Sequence, residues 1–231
     1  MKKGRHDNCE NWEYKTHPQI DKLRIRSEEL IELIRRRPRL VRRYGFDTRK
    51  AHSFFFALFA PKKCPHFAGH YRGYPLCQYL KKYRVGIGPE DTLVGAPYYP
   101  EVVERTIQQL EFRLSQAEAA FEVWVASSGP KPTPQQAVSR LVVIVCDALE
   151  TFLTIHPYAN GNGHCGRLMA WAMFARQGFL PLGLPLDERP PYEQALYEHR
   201  RGRPVLLQLV MLQSLKGWPG GSSPSPTSPS P

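Results

Sequence analysis

The sequence predicts a mainly α-helical domain with one short extended flap, on three observations. Between residues 100 and 125, Val103, Ile107, Leu110, Leu114, Ala117, Phe121 and Trp124 recur every three or four positions, the spacing of one apolar helix face. Residues 135–154 are apolar nearly all round, with Arg140, Asp147, Thr151 and Thr154 as a narrow polar stripe, which suits a central, buried helix. Strand-like patterning is confined to residues 83–87 and 92–94, separated by GPED, and reads as a hairpin or extended flap.

The remaining elements follow in chain order. Residues 19–37 carry Ile20, Leu23, Leu30, Ile31 and Ile34 at partly helical spacing before Pro38 stops them. A shorter helix is expected over 48–60, ended by Pro61, and the Gly-, Pro-, Tyr- and Lys-rich segment 61–98 contains the flap. After the breaker SSGPKPTP and the helix over 135–154, another is expected over 164–177, ended by Gly178, then two short ones over 191–200 and 204–215. The organisation expected is therefore a basic helical extension over 1–60, a main domain over 61–215 with its flap at about 83–99, and a Pro/Ser tail over 216–231. That tail is too poor in apolar groups to offset its ordering entropy.

Composition narrows the function. With 231 residues and 42% hydrophobic content the chain can bury a real core. Five widely spaced cysteines, odd in number and without a C-x-x-C pair, lead to the expectation of a fold without disulfides in a reducing, cytoplasmic compartment. The apolar run FFFALFA has 7 residues, too few to span a bilayer, and no secretory signal is visible. Of the net charge of +11, residues 1–50 supply +7, from 15 Lys/Arg and 8 Asp/Glu. The run RRRPRLVRR over 35–43 suits nucleic acid, an anionic surface or an acidic protein face, or else a solvated helix end complementing the dipole. No aromatic interleaving or nucleic-acid motif accompanies it, so nucleic acid is not the partner expected.

The chemistry concentrates in TIHPYANGNGHCGRL, residues 154–168. Gly161, Gly163 and Gly166 spell G-x-G-x-x-G, but no strand feeds them and Pro181 and Pro185 break the segment before Asp187, against a dinucleotide fold. Cys64, His66, His70 and Cys77, and separately His156, His164 and Cys165, lack a familiar zinc-ligand spacing. The third reading is an anion site. A helix that begins beside the glycines presents free N–H groups and its positive dipole end, Arg167 lies about one turn in, and His156 stands at the far rim as a base.

HPYANGNGHCGR resembles the Fic (Fido) domain signature H-P-F-x-(D/E)-G-N-G-R-x-x-R, meeting 7 of its 9 specified positions with Tyr accepted for Phe. AGHYRG and VGIGPEDTLVGAPYYPEVVERTIQQLE resemble the family's flap and following helix, and the likeness covers about residues 67–215. It implies a Fic-type helical domain with a β-hairpin flap that transfers AMP from ATP to a Ser, Thr or Tyr hydroxyl of a target protein. His156 is then the general base, Gly161, Asn162 and Gly163 the anion hole, and Arg167 the holder of the terminal phosphate, with Mg²⁺ or Mn²⁺ as cofactor. Pro157 and Tyr158 read as structural.

Two positions depart from the signature: Asn160 replaces the metal-holding acid, weakening that ligand, and His164 replaces the first arginine as a nucleotide-binding residue that stabilises the phosphates less. These departures keep two alternatives in view, a weak or inactive nucleotide- or partner-binding relative and a transferase of another phosphate-containing group. The family's inhibitory pattern, Ser or Thr followed four residues later by Glu, does not occur in this chain, which points to control by a partner protein in trans if control exists. Delivery into another cell leaves no mark readable in the residue pattern.

Overall fold

The structure, a computed structural model, describes residues 7–37, 40, 47–85, 99–127, 129–179 and 192–216. Seven α-helices organise them: α1 (Asp21–Arg36), α2 (Arg49–Phe56), α3 (Pro100–Ala126), α4 (Pro134–Ile155), α5 (Asn162–Arg176), α6 (Tyr192–Arg200) and α7 (Val205–Lys216). Among the described residues there is no strand. Residues 83–85, the described start of the expected flap, are irregular and follow a 3-10 turn at Leu80–Lys82, while 86–98 lie outside the described residues, as do most of the basic run and the tail after 216.

Helix α4 is the centre, as its all-round apolarity requires: it packs against α3, α5, α6 and α7. Leu141, Val145, Cys146, Leu149, Phe152 and Ile155 are all buried along it. A reciprocal capping box starts it, with the Gln136 N–H donating to Thr133 Oγ1 at 3.2 Å and the Thr133 N–H donating to Gln136 Oε1 at 2.8 Å. Helix α5 is buried over nearly its whole length, from Asn162 to Phe174, and its Arg176 forms a two-nitrogen ion pair with Glu118 of α3, with a shortest contact of 2.6 Å. Both side chains are about nine-tenths buried, so this clamp between α3 and α5 holds its register in low dielectric.

The extension shares the core of the main domain. Trp12, Tyr14, Leu23, Leu30 and Ile34 bury into the same apolar cluster as Phe55, Phe56, Phe67 and Trp171. One expectation is overturned here. Cys9 and Cys64 form a disulfide across a sequence separation of 55, leaving Cys77, Cys146 and Cys165 as buried thiols. Spacing alone could not reveal the pair, because it needs the N-terminal segment to fold back over α2. Closing a loop of that length removes enough unfolded-state entropy for about 4 kcal/mol of stability. It also takes Cys64 out of any zinc set. No helix among the described residues is long and apolar enough to cross a membrane.

Candidate active site

Helix α4 ends and α5 begins around a six-residue loop, 156–161, and the geometry of both ends is unusual. His156 caps α4 in the left-handed region at φ 51, the one non-glycine residue with positive φ among the described residues. Such a conformation costs on the order of 1 kcal/mol and persists only where neighbours impose it. Arg72 imposes it. Its guanidinium donates through Nε to the His156 carbonyl at 2.7 Å and through Nη2 to the Ile155 carbonyl at 3.0 Å, and Nη1 reaches the Tyr83 carbonyl at 3.2 Å. The Arg72 N–H also donates to the Pro157 carbonyl at 2.7 Å. A buried cation thus satisfies the last carbonyls of α4 and complements its dipole. Burial pulls the Arg72 pKa down to about 10, with Glu101 opposing, so the group stays charged at neutral pH.

The His156 ring is fixed as well. Nδ1 lies 3.1 Å from the Leu153 carbonyl, which can only accept, so the proton sits on Nδ1 and Nε2 is the basic nitrogen. Burial pushes its pKa down to about 4; Arg72 and Arg200 push the same way and the Leu153 carbonyl opposes. The imidazole is neutral across the physiological range, the state in which it can accept a proton.

At the other end Gly161 caps α5 at φ 78, and a Cβ there would lie 2.3 Å from the Phe56 ring. Only glycine lets the loop lie so close over α2. Asn162 staples the loop with its side chain: Oδ1 accepts from the Tyr158 N–H at 2.8 Å and Nδ2 donates to the Tyr158 carbonyl at 3.0 Å. The first bond of α5 runs from the Cys165 N–H to the Gly161 carbonyl, so the N–H groups of Asn162, Gly163 and His164 precede it at the positive end of the helix. The helix starts at Asn162, two residues before its expected start.

Beneath the loop lies a layer that sequence reasoning missed. The His52 ring of α2 stacks on Tyr158 at 3.8 Å, donates from Nε2 to the Asn160 carbonyl at 2.9 Å, and accepts at Nδ1 from the Gly69 N–H at 3.0 Å. Fully buried, it is pushed down to about 3, chiefly by desolvation, so it too is neutral. The Tyr158 hydroxyl pairs with Thr48 Oγ1 at 2.7 Å, which gives the ring the supporting place expected of it. The one available signal for Arg72 was its position in AGHYRG, a segment noted for its flap likeness without a role for the arginine.

The other expected site residues divide. Arg167 is buried one turn into α5, its guanidinium 5.6 Å from the centre of the Tyr192 ring. His164 lies among aromatic rings, 6.0 Å from Tyr14, 5.8 Å from Phe56 and 6.4 Å from Phe55. Asn160 has both ends of its amide engaged: Oδ1 accepts from the Gly161 N–H at 2.8 Å and Nδ2 donates to the Trp12 carbonyl at 3.0 Å. His156, Gly161, Asn162 and Gly163 therefore belong to one braced turn, whereas the side chains of Asn160 and His164 meet the N-terminal segment.

No protein-family model matches the chain, and no curated protein matches it in sequence.

Proposed function

We propose that the chain is a Fic-type transferase that moves the AMP part of ATP onto a Ser, Thr or Tyr hydroxyl of a target protein. The observation that carries this is the conjunction of a neutral histidine with its proton on Nδ1 and a glycine-bounded helix N-terminus on the same six-residue loop. His156 Nε2 takes the proton of the target hydroxyl as its oxygen bonds to the α-phosphorus; the bond from that phosphorus to the bridging oxygen breaks, and pyrophosphate leaves. The N–H groups of Asn162, Gly163 and His164 meet the negative charge on the phosphates, and Arg167 binds the terminal phosphate. Here Asn162 contributes backbone, its amide being spent on Tyr158.

A divalent cation, Mg²⁺ or Mn²⁺, would supply charge neutralisation on the phosphates. Asn160 Oδ1 is a neutral oxygen already accepting from Gly161, a poor fit for a hard cation, so the protein would contribute little to holding it. The same observation favours the second reading, a weak or inactive nucleotide-binding relative that keeps the loop.

The test incubates the protein and a cell lysate with ATP labelled at the α- or, in parallel, the γ-phosphate, with Mg²⁺ or Mn²⁺. The expected result is protein labelling from the α position that His156→Ala removes. Labelling from the γ position alone would reassign the reaction to phosphoryl transfer, and labelling from neither by a folded protein would favour the second reading.

A further inference from the structure

Within residues 7–17, Trp12 meets the loop and Tyr14 meets the start of α5, and Trp12 is the segment's anchor. It is 1% exposed, its indole Nε1 donates to the Phe59 carbonyl at 3.0 Å, and its N–H donates to the Tyr83 hydroxyl at 3.0 Å. Its ring meets Phe56 edge-on at 6.0 Å and Phe67 at 5.6 Å, while its carbonyl holds the Asn160 amide. Two residues on, Tyr14 packs its ring 4.9 Å from Phe56 and 6.0 Å from His164. The residues so held include the two that depart from the signature, Asn160 and His164. Three residues before Trp12 the segment is tied covalently, through Cys9, to Cys64 just beyond α2.

From this geometry we infer that residues 7–17 are a strap positioning the anion loop, and that the Cys9–Cys64 bond is a thiol-sensitive clasp on that strap. As regulation of the site, this rests on the reading of the loop as the nucleotide site. The clasp opens by thiol–disulfide exchange with a dithiol. One thiolate of the reductant attacks a sulfur of the pair and displaces the other as thiolate; the second then resolves the mixed disulfide. Cys9 and Cys64 end as thiols, having gained two electrons and two protons, and the reductant ends as a disulfide. Both residues are buried, Cys9 at 7% exposed lying nearer solvent than Cys64 at 1%. Disulfides persist in oxidising compartments and are reduced in the cytosol, so the clasp couples the tightness of the loop to the compartment the protein occupies.

The strap is tied covalently to Cys64 and meets the loop through one hydrogen bond, from Asn160 Nδ2 to the Trp12 carbonyl, whereas α3 is held by its packing along α4 and by the Glu118–Arg176 clamp. Opening the clasp therefore removes the strap's share of the loop's bracing, leaving that of Arg72, His52 and Thr48, and does not touch α3. The test is amide hydrogen exchange on the full chain without nucleotide, as formed and after dithiothreitol, with iodoacetamide labelling to confirm that both thiols were released. The expected result is exchange in the peptide over 157–164 accelerated by about ten-fold or more, with α3 unchanged and protection restored by oxidised glutathione, the behaviour of a local opening. Unchanged loop exchange after confirmed reduction overturns the proposal. So does equal acceleration in α3, which would make the disulfide a general staple.

Asn160→Asp gives a second arm with the disulfide intact. It keeps the acceptor for the Gly161 N–H but sets a carboxylate oxygen against the Trp12 carbonyl, so the loop is expected to exchange as fast as after reduction; exchange at the parent's rate would refute the strap's hold. These readouts need no turnover, so failure of AMP transfer and failure of the clasp are told apart.

Discussion

The Arg72 guanidinium donates to the backbone carbonyl of His156 at 2.7 Å across a separation of 84 residues, and so the conformation of the candidate base is set from another part of the chain. Arg72→Lys keeps the charge but replaces the planar fork by a single ammonium, which cannot serve the Ile155, His156 and Tyr83 carbonyls together. The expected cost is about 2–3 kcal/mol, from buried carbonyls left unsatisfied. AMP transfer, if the proposed reaction holds, drops about 10- to 100-fold as the base loses its alignment. Chemical denaturation and initial rates check both, and a variant as stable as the parent would refute the role.

Gly161→Ala meets two obstacles at once. The backbone stands at φ 78, and the new methyl would lie 2.3 Å from Phe56 Cε2 and 2.4 Å from Cζ. The expected loss is about 2–4 kcal/mol, the sum of left-handed strain and overpacking. Phe56→Ala removes the collision but not the strain, so the two substitutions should be non-additive in a double-mutant cycle of denaturation midpoints. Strict additivity would mean that the loop does not rest on that ring.

Stability should fall as the solution is acidified below pH 6.5, because two buried histidines fold in their neutral form. His52 and His156 are held near 3 and 4, against 6.5 for a free imidazole, chiefly by desolvation. The sign follows directly: between those values the unfolded chain binds more protons than the folded one, so the stabilisation is whole above pH 6.5 and is lost progressively as pH falls toward 4. Each group contributes on the order of 2–3 kcal/mol over that interval. Urea midpoints at pH 7.5, 6 and 4.5 measure the slope, and His52→Phe should flatten it relative to the parent.

Glu118→Ala leaves Arg176 buried without its carboxylate and is expected to cost about 3 kcal/mol. For a chain of this size that corresponds to a fall in Tm of about 6–12 °C. Glu118→Gln, which keeps the shape and one acceptor, should lose less. Equal losses from the two would show that shape rather than charge carries the clamp.

Helical class and order were legible because they depend on local spacing. The apolar stripe of α3 and the all-round apolarity of α4 needed no knowledge of partners, and both helices lie within a residue of their expected ends. The turn at 156–161 was legible as a glycine-bounded helix start for the same reason, since glycines beside a helix start are a local signal. What holds the turn was not legible. Arg72, His52, Thr48 and Trp12 each meet a backbone, hydroxyl or side-chain amide group 84 to 148 residues away, and apart from the place of Arg72 in AGHYRG nothing in their own neighbourhoods marks them. The Cys9–Cys64 pair was missed for that reason too.

The bracing of loop 156–161 by distant residues also orders events in time. A chain emerging N-terminus first, at about 5–20 residues per second, exposes Trp12, Thr48, His52 and Arg72 long before their partners at 155–160 exist. Contacts of such separation form only after costly loop closure. The turn is therefore completed only after residue 160 has been made, and a nascent chain lacks its bracing until then.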